Sequence, residues 1–563
     1  MVGYVVAVAT VAFTQVDVVA FHLPGVARWI QTGSVWQIDQ FLPYQAQANY
    51  PNSGDLVALA VVLPWHDDFA LRFVGLPFVA ATGVAVYALG RELGAPAAAA
   101  VLYGAVVVTI PSVAVSALDF ELPDAIMYST FATGVLFLLR RVRGGGTLDL
   151  VLAGIALGVA FGVKWYAVWA VAVVVAVWAT GSLLARRPWR AVGLDGARLA
   201  GLIALFGGFW LLRNLVESGN PFFPARVAPL GVTVFDAPYD RYRALAGFPL
   251  SDYLDDPSVL RHYALPAFNR TLGLAWVVAG FGALVAVAVA LRGRRPDWRV
   301  VAVVACAALL ALAYLFTPYS ALGGKGAPTG VAANTRYVVP ALLLAAAATA
   351  WAAGRGRGLA IAVQLAGALA VADGIRRGFD PVHARHALLA AGLLVAGAAA
   401  AAAWQRWGSG TRRVPLAAAV AALGLAVVAT AGYGVQRRFN DHRYRGLEAP
   451  LAWVREHRHH RVGLAGLWDV DGIYPVLPSF GPRLGNQVRF VGPFRDGMLS
   501  EYGDRDSFVA ALRRGRYDLL VVGNAVLPGT RPRPNEAWAR AAGYVVVARS
   551  PRLVLLRRPG TPR

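Results

Sequence analysis

Apolar residues run along the chain in blocks of roughly 15 to 22, separated by short breaks rich in arginine, which is the pattern of helices that cross a bilayer. Blocks at 1–16, 69–90, 96–115, 122–139, 148–163, 165–184, 197–216, 272–291, 300–318, 337–353, 359–373, 387–404 and 415–434 predict about thirteen spans. The first measures about 24 Å at ~1.5 Å per residue, short of a hydrocarbon core of roughly 30 Å. It has neither a charged leading segment nor a small-residue cleavage motif. It therefore reads as a shortened first span whose true start lies upstream, not as a removable signal.

Strict alternation places the breaks at 91, 140–143, 186–190, 292–299, 355–357 and 406–413 on the cytoplasmic side, where Lys and Arg are enriched. The break holding Arg376, Arg377 and Arg385 falls outward, against that bias, and leaves the count there open by one helical pair. The outer loops are then 17–55, 217–271 and 319–336. After about residue 435 the period changes: β-type runs at 461–467, 517–522, 544–547 and 553–556 alternate with helical stretches at 451–457 and 506–514, the signature of a small α/β domain. An odd number of spans with a cytoplasmic N-terminus puts that domain outside. The expected fold is an all-α polytopic membrane bundle (1–434) with a C-terminal extracytoplasmic α/β domain (435–563), in the cell's inner or plasma membrane.

Composition supports the membrane class: 57% of residues are hydrophobic and 15% charged, against about 25% charged in soluble domains. The net charge of +22 does not point to nucleic acid, because many of the arginines punctuate spans instead of gathering with stacking aromatics on a soluble module. The single cysteine, Cys306, lies in an apolar run and excludes a disulfide framework or a Cys-ligated metal.

Ionisable groups at span ends are where chemistry is expected. Asp17 ends the first span in DVVAFHLPGVARWIQTGS; an isolated acid there is ordinarily just solvated. Here it is followed by His22, Arg28, Trp29 and Trp36 on a segment that reads as an amphipathic interfacial helix. NYPNSGD (49–55) then forces a turn before an apolar run. An acid five residues before His-Leu-Pro, an ARW-IQ-G helix and a Tyr-Pro-x-x-Gly-acid turn together resemble the first outer loop of polyprenyl-phosphate-dependent integral-membrane glycosyltransferases. This is the GT-C class, which includes protein O-mannosyltransferases and lipid A aminoarabinose transferases. LRNLVESGNPFFP (212–224), NTRYVVP (334–340) and YPVLPSFGPRLGNQVRFV (474–491) extend the resemblance along the chain.

The resemblance implies that Asp17 activates an acceptor hydroxyl, a role a carboxylate can fill as general base. A second acidic element is expected in SALDFELPDAIMY, which offers Asp119, Glu121 and Asp124. The Glu-Leu-Pro match favours Glu121 as the second catalytic acid, while any of the three also reads as a loop acid or helix N-cap. His22 and Tyr50, inside the matching motifs, join the substrate-binding set. Lys164, in GVKWYAVW, is expensive between apolar runs unless paired or at a cavity; snorkelling to the interface is the alternative. Lys325 and Arg336 flank the Gly-rich loop YSALGGKGAPTGVAANTRY, where the planar guanidinium of Arg336 suits a donor phosphate. Arg213 has either the same role or that of capping the helix's last carbonyls.

REHRHHR (455–461) reads as a solvated basic helix end, since its spacing lacks a zinc-site arrangement. YLDDP (253–257), with Asp236 and Asp240, reads as a solvated outer loop. No metal ligand is assigned, although the resemblance admits a divalent cation, Mg or Mn. The expected activity is transfer of a sugar, with inversion, from a polyprenyl-phosphate donor to a hydroxyl on a glycan, lipid or protein at the outer face. The tail domain is expected to contact the acceptor. The rival reading is a transporter or flippase of a lipid-linked substrate, which would bind near the midplane with paired repeats; no repeat is visible.

Overall fold

Most of the apolar blocks fold as helices. The structure, a computed structural model, describes residues 2–9, 15–37, 39–117, 123–292, 296–380, 382–407, 419, 422, 424, 426, 430–438, 447–468, 474–525 and 534–561. Among them, Phe69–Leu93, Asp124–Val142, Trp165–Leu184, Ala275–Arg292, Trp298–Phe316, Val331–Arg355 and Arg357–Gly378 are long and apolar enough to cross a membrane. The pair Trp189–Gly207 and Phe209–Ser218, bent by 69°, makes an eighth if it is one span. The block at 96–115 is broken: Ala97–Val108 stops short because Ile110, before Pro111, is extended, and Pro111–Val115 starts afresh. The block at 148–163 gives the shorter helix Thr147–Phe161. The last predicted block, 415–434, lies largely outside the described residues.

At the centre stands Val339–Ala352, in which every residue is buried. Its alanine-rich surface lets Gly75–Leu93, Ala97–Val108, Ala275–Arg292 and Trp298–Phe316 pack directly against it. In a bilayer, where burial of apolar surface does not drive helices together, close backbone approach through small residues holds the bundle. The crossing of Thr147–Phe161 with Trp189–Gly207 shows the same logic: a Cβ on Gly207 would lie 2.1 Å from the Gly158 carbonyl oxygen.

Charges sort to the two ends of the bundle. At one end Asp195 pairs with Arg141 at 3.0 Å and Arg187 at 2.9 Å, and Arg143 pairs with Glu92 at 2.6 Å. Three arginine breaks that alternation puts on one side thus meet in space. At the other end Asp373 pairs with Arg376 at 3.2 Å and Arg377 at 2.7 Å, and accepts the Leu274 N–H at 2.8 Å. Of the arginines that run against the positive-inside bias, Arg376 and Arg377 share this one carboxylate.

The tail carries β1 (Arg461–Leu467), β2 (Gln487–Phe490), β3 (Phe494–Arg495), β4 (Met498–Leu499), β5 (Leu519–Asn524), β6 (Val545–Arg549) and β7 (Leu553–Arg557). Five of them form a sheet in the order β2-β1-β5-β7-β6, with β1 parallel to β2 and β5 and with β7 antiparallel to β5 and β6. β1 and β5 are buried along nearly their whole length, as central strands covered on both faces are.

This domain docks on the opening loop of the chain. Gln31 Nε2 donates to the carbonyls of Leu484 at 2.9 Å and Asn486 at 2.8 Å, Gln40 Nε2 to that of Gly497 at 2.7 Å, and the Tyr44 N–H to that of Leu499 at 2.8 Å. Phe41 meets Phe480 edge-on at 5.7 Å, and Val476–Ser479 packs on the turn Val18–His22. The helix expected at a lipid interface, Leu23–Thr32, is therefore covered by protein: Trp29 is 5% exposed and stacks on Trp210 at 5.8 Å.

Candidate functional site

The first apolar block, of which Val2–Val8 is described as helix, is followed by a wide turn. Asp17 is helical, and Val18–His22 closes a π-helical turn, with the Leu23 N–H bonded to the Val18 carbonyl. Such turns recur at functional sites because they re-aim side chains within a helix. Here the turn presents Asp17 and His22, at its two ends, to two polar constellations.

Asp17 Oδ2 lies 3.4 Å from a terminal nitrogen of Arg336, with side chains 24% and 15% exposed. Arg336 sits in the 3-10 turn Thr335–Val338 that leads into the central helix. Its carbonyl accepts the Tyr128 hydroxyl at 3.2 Å, and its guanidinium lies over the Tyr337 ring at 5.4 Å. Tyr337 packs on Tyr166 at 4.8 Å, and Tyr166 donates its hydroxyl to Asp124. Asp124, 2% exposed, lies in the first turn of Asp124–Val142, where the helix dipole favours a carboxylate. The buried Arg336 Nε has no hydrogen-bond partner among the described residues. A guanidinium with an unused donor, beside a carboxylate it meets at a long distance, is poised to take an anion.

The second constellation is a buried chain of three. His22 Nδ1 lies 2.8 Å from the Asp55 carboxylate, and His22 Nε2 lies 3.0 Å from Lys164 Nζ. All three residues are less than a tenth exposed. A carboxylate on Nδ1 fixes the proton there and leaves Nε2 as an acceptor for the ammonium. Asp55 belongs to the first turn of Ser53–Val62, whose close fit depends on Gly54: a Cβ there would lie 2.1 Å from the Pro123 side chain. Lys164 therefore does not snorkel. It is held inward by the imidazole, within electrostatic range of Asp124, Arg336 and Asp17.

A group of tyrosines lies within electrostatic range of Asp17 and Asp240. Tyr50, Tyr242 and Tyr319 are raised above the ordinary tyrosine value, chiefly by burial, and Asp17 and Asp240 reinforce the shift at Tyr50 and Tyr242. Asp240, read from the sequence as solvated, is half-buried and caps the helix Arg241–Ala246 by accepting the Arg243 N–H at 2.8 Å. Burial pushes its carboxyl above the usual carboxylate range.

Of the residues singled out in the sequence, Asp17, His22, Tyr50, Asp124, Lys164 and Arg336 converge. Asp119 and Glu121 lie outside the described residues. Arg213 is committed elsewhere: 1% exposed, it donates to the carbonyls of Ala48 at 2.7 Å and Val35 at 3.4 Å, so it holds the opening loop. Lys325 is exposed, on a turn closed by the Gly324–Ala327 bridge. Sequence reasoning missed Asp55, Tyr128, Tyr166 and Tyr337. Asp55 is the last residue of NYPNSGD and Tyr337 follows Arg336 in NTRYVVP, so their motifs already marked them.

Residues 40–216 match the family described as dolichyl-phosphate-mannose-protein mannosyltransferase, a stretch holding Tyr50, Asp55, Asp124 and Lys164 but neither Asp17 nor Arg336. The crystal structure of ArnT from Cupriavidus metallidurans bound to undecaprenyl phosphate matches with a TM-score of 0.57 at 16% identity, covering 100% of this chain and 97% of that one. The chain has the ArnT fold. The GT-C resemblance read from the scattered motifs thus holds for the architecture as a whole. The apo oligosaccharyltransferase from Archaeoglobus fulgidus is matched at a TM-score of 0.42 and 12% identity, covering 92% of this chain and 68% of that one. No curated protein matches in sequence.

Among the described residues no three His, Cys, Asp or Glu groups gather, and the nearest pair, His22 with Asp55, has the Lys164 ammonium at the second ring nitrogen.

Proposed function

We propose that this chain is a membrane glycosyltransferase that takes one sugar from a polyprenyl-phosphate carrier at the extracytoplasmic face and transfers it, with inversion, to an acceptor hydroxyl. The observation that carries the reading is the meeting of Asp17 with Arg336, beside the His22-held Lys164, at one end of the bundle. The ArnT structure of the same fold is described as bound to undecaprenyl phosphate, which supports that lipid class as the carrier.

Chemically, the acceptor hydroxyl gives its proton to Asp17 as its oxygen attacks the anomeric carbon. The bond from that carbon to the phosphate oxygen breaks on the opposite face, and a single displacement inverts the centre. The departing lipid phosphate gains charge that Arg336 and Lys164 neutralise from fixed positions, which is how preorganised cations lower such a barrier. Asp124 and the tyrosines around it hold Arg336 in place. Asp55 and His22 hold Lys164.

The reading is tested with purified protein in detergent, where no gradient exists, and a panel of polyprenyl-phosphate sugars. Release of free polyprenyl phosphate by the parent protein is expected. Its absence across the panel favours transport of a lipid-linked substrate.

A further inference from the structure

The tyrosine wall within electrostatic range of Asp17 and Asp240 has no part in the scheme above. Tyr242 and Tyr319 lie with ring centroids 6.2 Å apart and planes 26° from parallel. Tyr319 holds a positive φ of 66°, a conformation that a bulky residue adopts only when its surroundings over-determine it. Two bonds do so: its N–H donates to the Gly247 carbonyl at 3.2 Å, and Asn334 Nδ2 donates to its carbonyl at 2.8 Å. The two outer loops are stitched together behind the rings. Ala321 N–H bonds the Phe248 carbonyl at 3.0 Å, Gly323 N–H that of Ala246 at 3.0 Å, and Leu250 N–H the Ser320 hydroxyl at 2.7 Å. The wall is therefore preformed. Tyr50, Tyr242 and Tyr319 share the electrostatic field of Asp240, and Tyr50 and Tyr242 also that of Asp17.

We infer that Tyr50, Tyr242, Tyr319 and Asp240 form the acceptor subsite, and that its occupant is an uncharged saccharide presenting one hydroxyl to Asp17. This rests on the proposed transfer reaction and names its acceptor class. Tyrosine rings offer flat apolar faces to the C–H face of a sugar and hydroxyls to its rim, the mixture that orients a polar ligand in an aromatic pocket. Asp240 adds a carboxylate acceptor for sugar hydroxyls. Asp17 is already met by Arg336, so the carboxylate that the wall itself adds is Asp240, which disfavours an anionic group there and which Arg243 offsets in part. A peptide substrate, which the name of the matched family would favour, could be held as an added strand only at a free backbone edge. Here the N–H groups of Tyr319, Ala321, Gly323 and Leu250 are spent within the wall.

The test uses the full chain in lipid nanodiscs without donor, so that binding is read apart from turnover. A panel of neutral disaccharides (mannobiose, arabinobiose, glucobiose) and a Ser/Thr-containing peptide are added in turn, and hydrogen exchange is followed across 236–254 and 317–323. At least one disaccharide is expected to protect both segments. Tyr242→Ala and Tyr319→Ala should each weaken that affinity about tenfold, while Tyr242→Trp, which keeps a ring face, restores it. Protection by the peptide and by none of the disaccharides overturns the inference. So does protection by no probe, or protection that survives both alanine variants. A disaccharide that binds to a protein unable to turn over any donor leaves the subsite standing and removes the transferase reading. Donor turnover without disaccharide binding does the reverse.

Discussion

Asp17 and Arg336 stand 319 positions apart in the chain and meet at 3.4 Å. The contact joins the turn after the first apolar block to the 3-10 turn that leads into the central, fully buried helix. The distance is long for a charge-assisted hydrogen bond, which suits a pair that admits a third charged partner between its members.

The Asp55–His22–Lys164 chain predicts a donor defect. Asp55→Ala frees the His22 tautomer and leaves Lys164 without a fixed acceptor. Catalytic efficiency toward the polyprenyl-phosphate sugar should fall about 10- to 100-fold, the usual size for losing a group that orients a charged ligand. Asp55→Asn, whose side-chain oxygen still accepts the Nδ1 proton, should retain more. Steady-state kinetics on both variants checks this, and equal loss in the two would separate the effect from tautomer control.

Docking of the tail domain on the opening loop predicts loosening of that loop when the contact is cut. Gln40 Nε2 bridges the Gly497 carbonyl and Asn49 Oδ1, at 2.7 and 2.9 Å. Gln40→Ala removes both bonds and should cost about 1–3 kcal/mol, because the Gly497 carbonyl is left unpaired. Hydrogen exchange across 40–55 should rise, while exchange in β1 and β5 should not change.

The pH dependence of acceptor binding follows from Asp240. Burial raises its carboxyl above the ordinary Asp range, so it takes up a proton at a higher pH than a solvated aspartate would. Saccharide affinity, which uses the ionised form as an acceptor, is therefore fully present above that raised value and is lost as pH falls through it. Asp240→Asn should bind more weakly at neutral pH and show no acid limb. Titration of affinity from neutral pH downward measures both.

Gly54→Ala tests the packing between the two constellations. Its Cβ would lie 2.1 Å from Pro123, next to the helix that carries Asp124. The overlap should destabilise the bundle by about 1–3 kcal/mol, the ordinary range for overpacking, read as a lowered melting temperature in detergent.

Much of this was legible in the sequence because the physics behind it is local. Hydropathy blocks mark helices wherever the backbone must satisfy itself in lipid, and the arginine breaks at 140–143 and 186–190 correctly share one end of the bundle. The strands at 461–467 and 553–556 are legible within a residue or so, the first from its alternating apolar residues and the second from its apolar run. The Pro111 break inside one block is a local steric event that a hydropathy average hides. Asp17, Lys164 and Arg336 stood out because charge at a span end is costly. The NYPNSGD motif marks Asp55, but its partner leaves no trace there: a first-turn acid shows its role only when His22 is seen against it. Arg213 reads alike whether it faces a phosphate or a carbonyl; only the fold shows the Ala48 carbonyl at its tip. The half-burial of Asp240 depends on a loop 70 to 80 residues further on and leaves no local trace.

The most direct measurement is single-turnover sugar transfer by Asp17→Asn beside the parent protein, with donor binding followed separately. The account predicts that the asparagine variant binds the polyprenyl-phosphate sugar with little change and transfers it about 10²- to 10⁴-fold more slowly, the contribution expected of a general base. Transfer at the parent rate would contradict it.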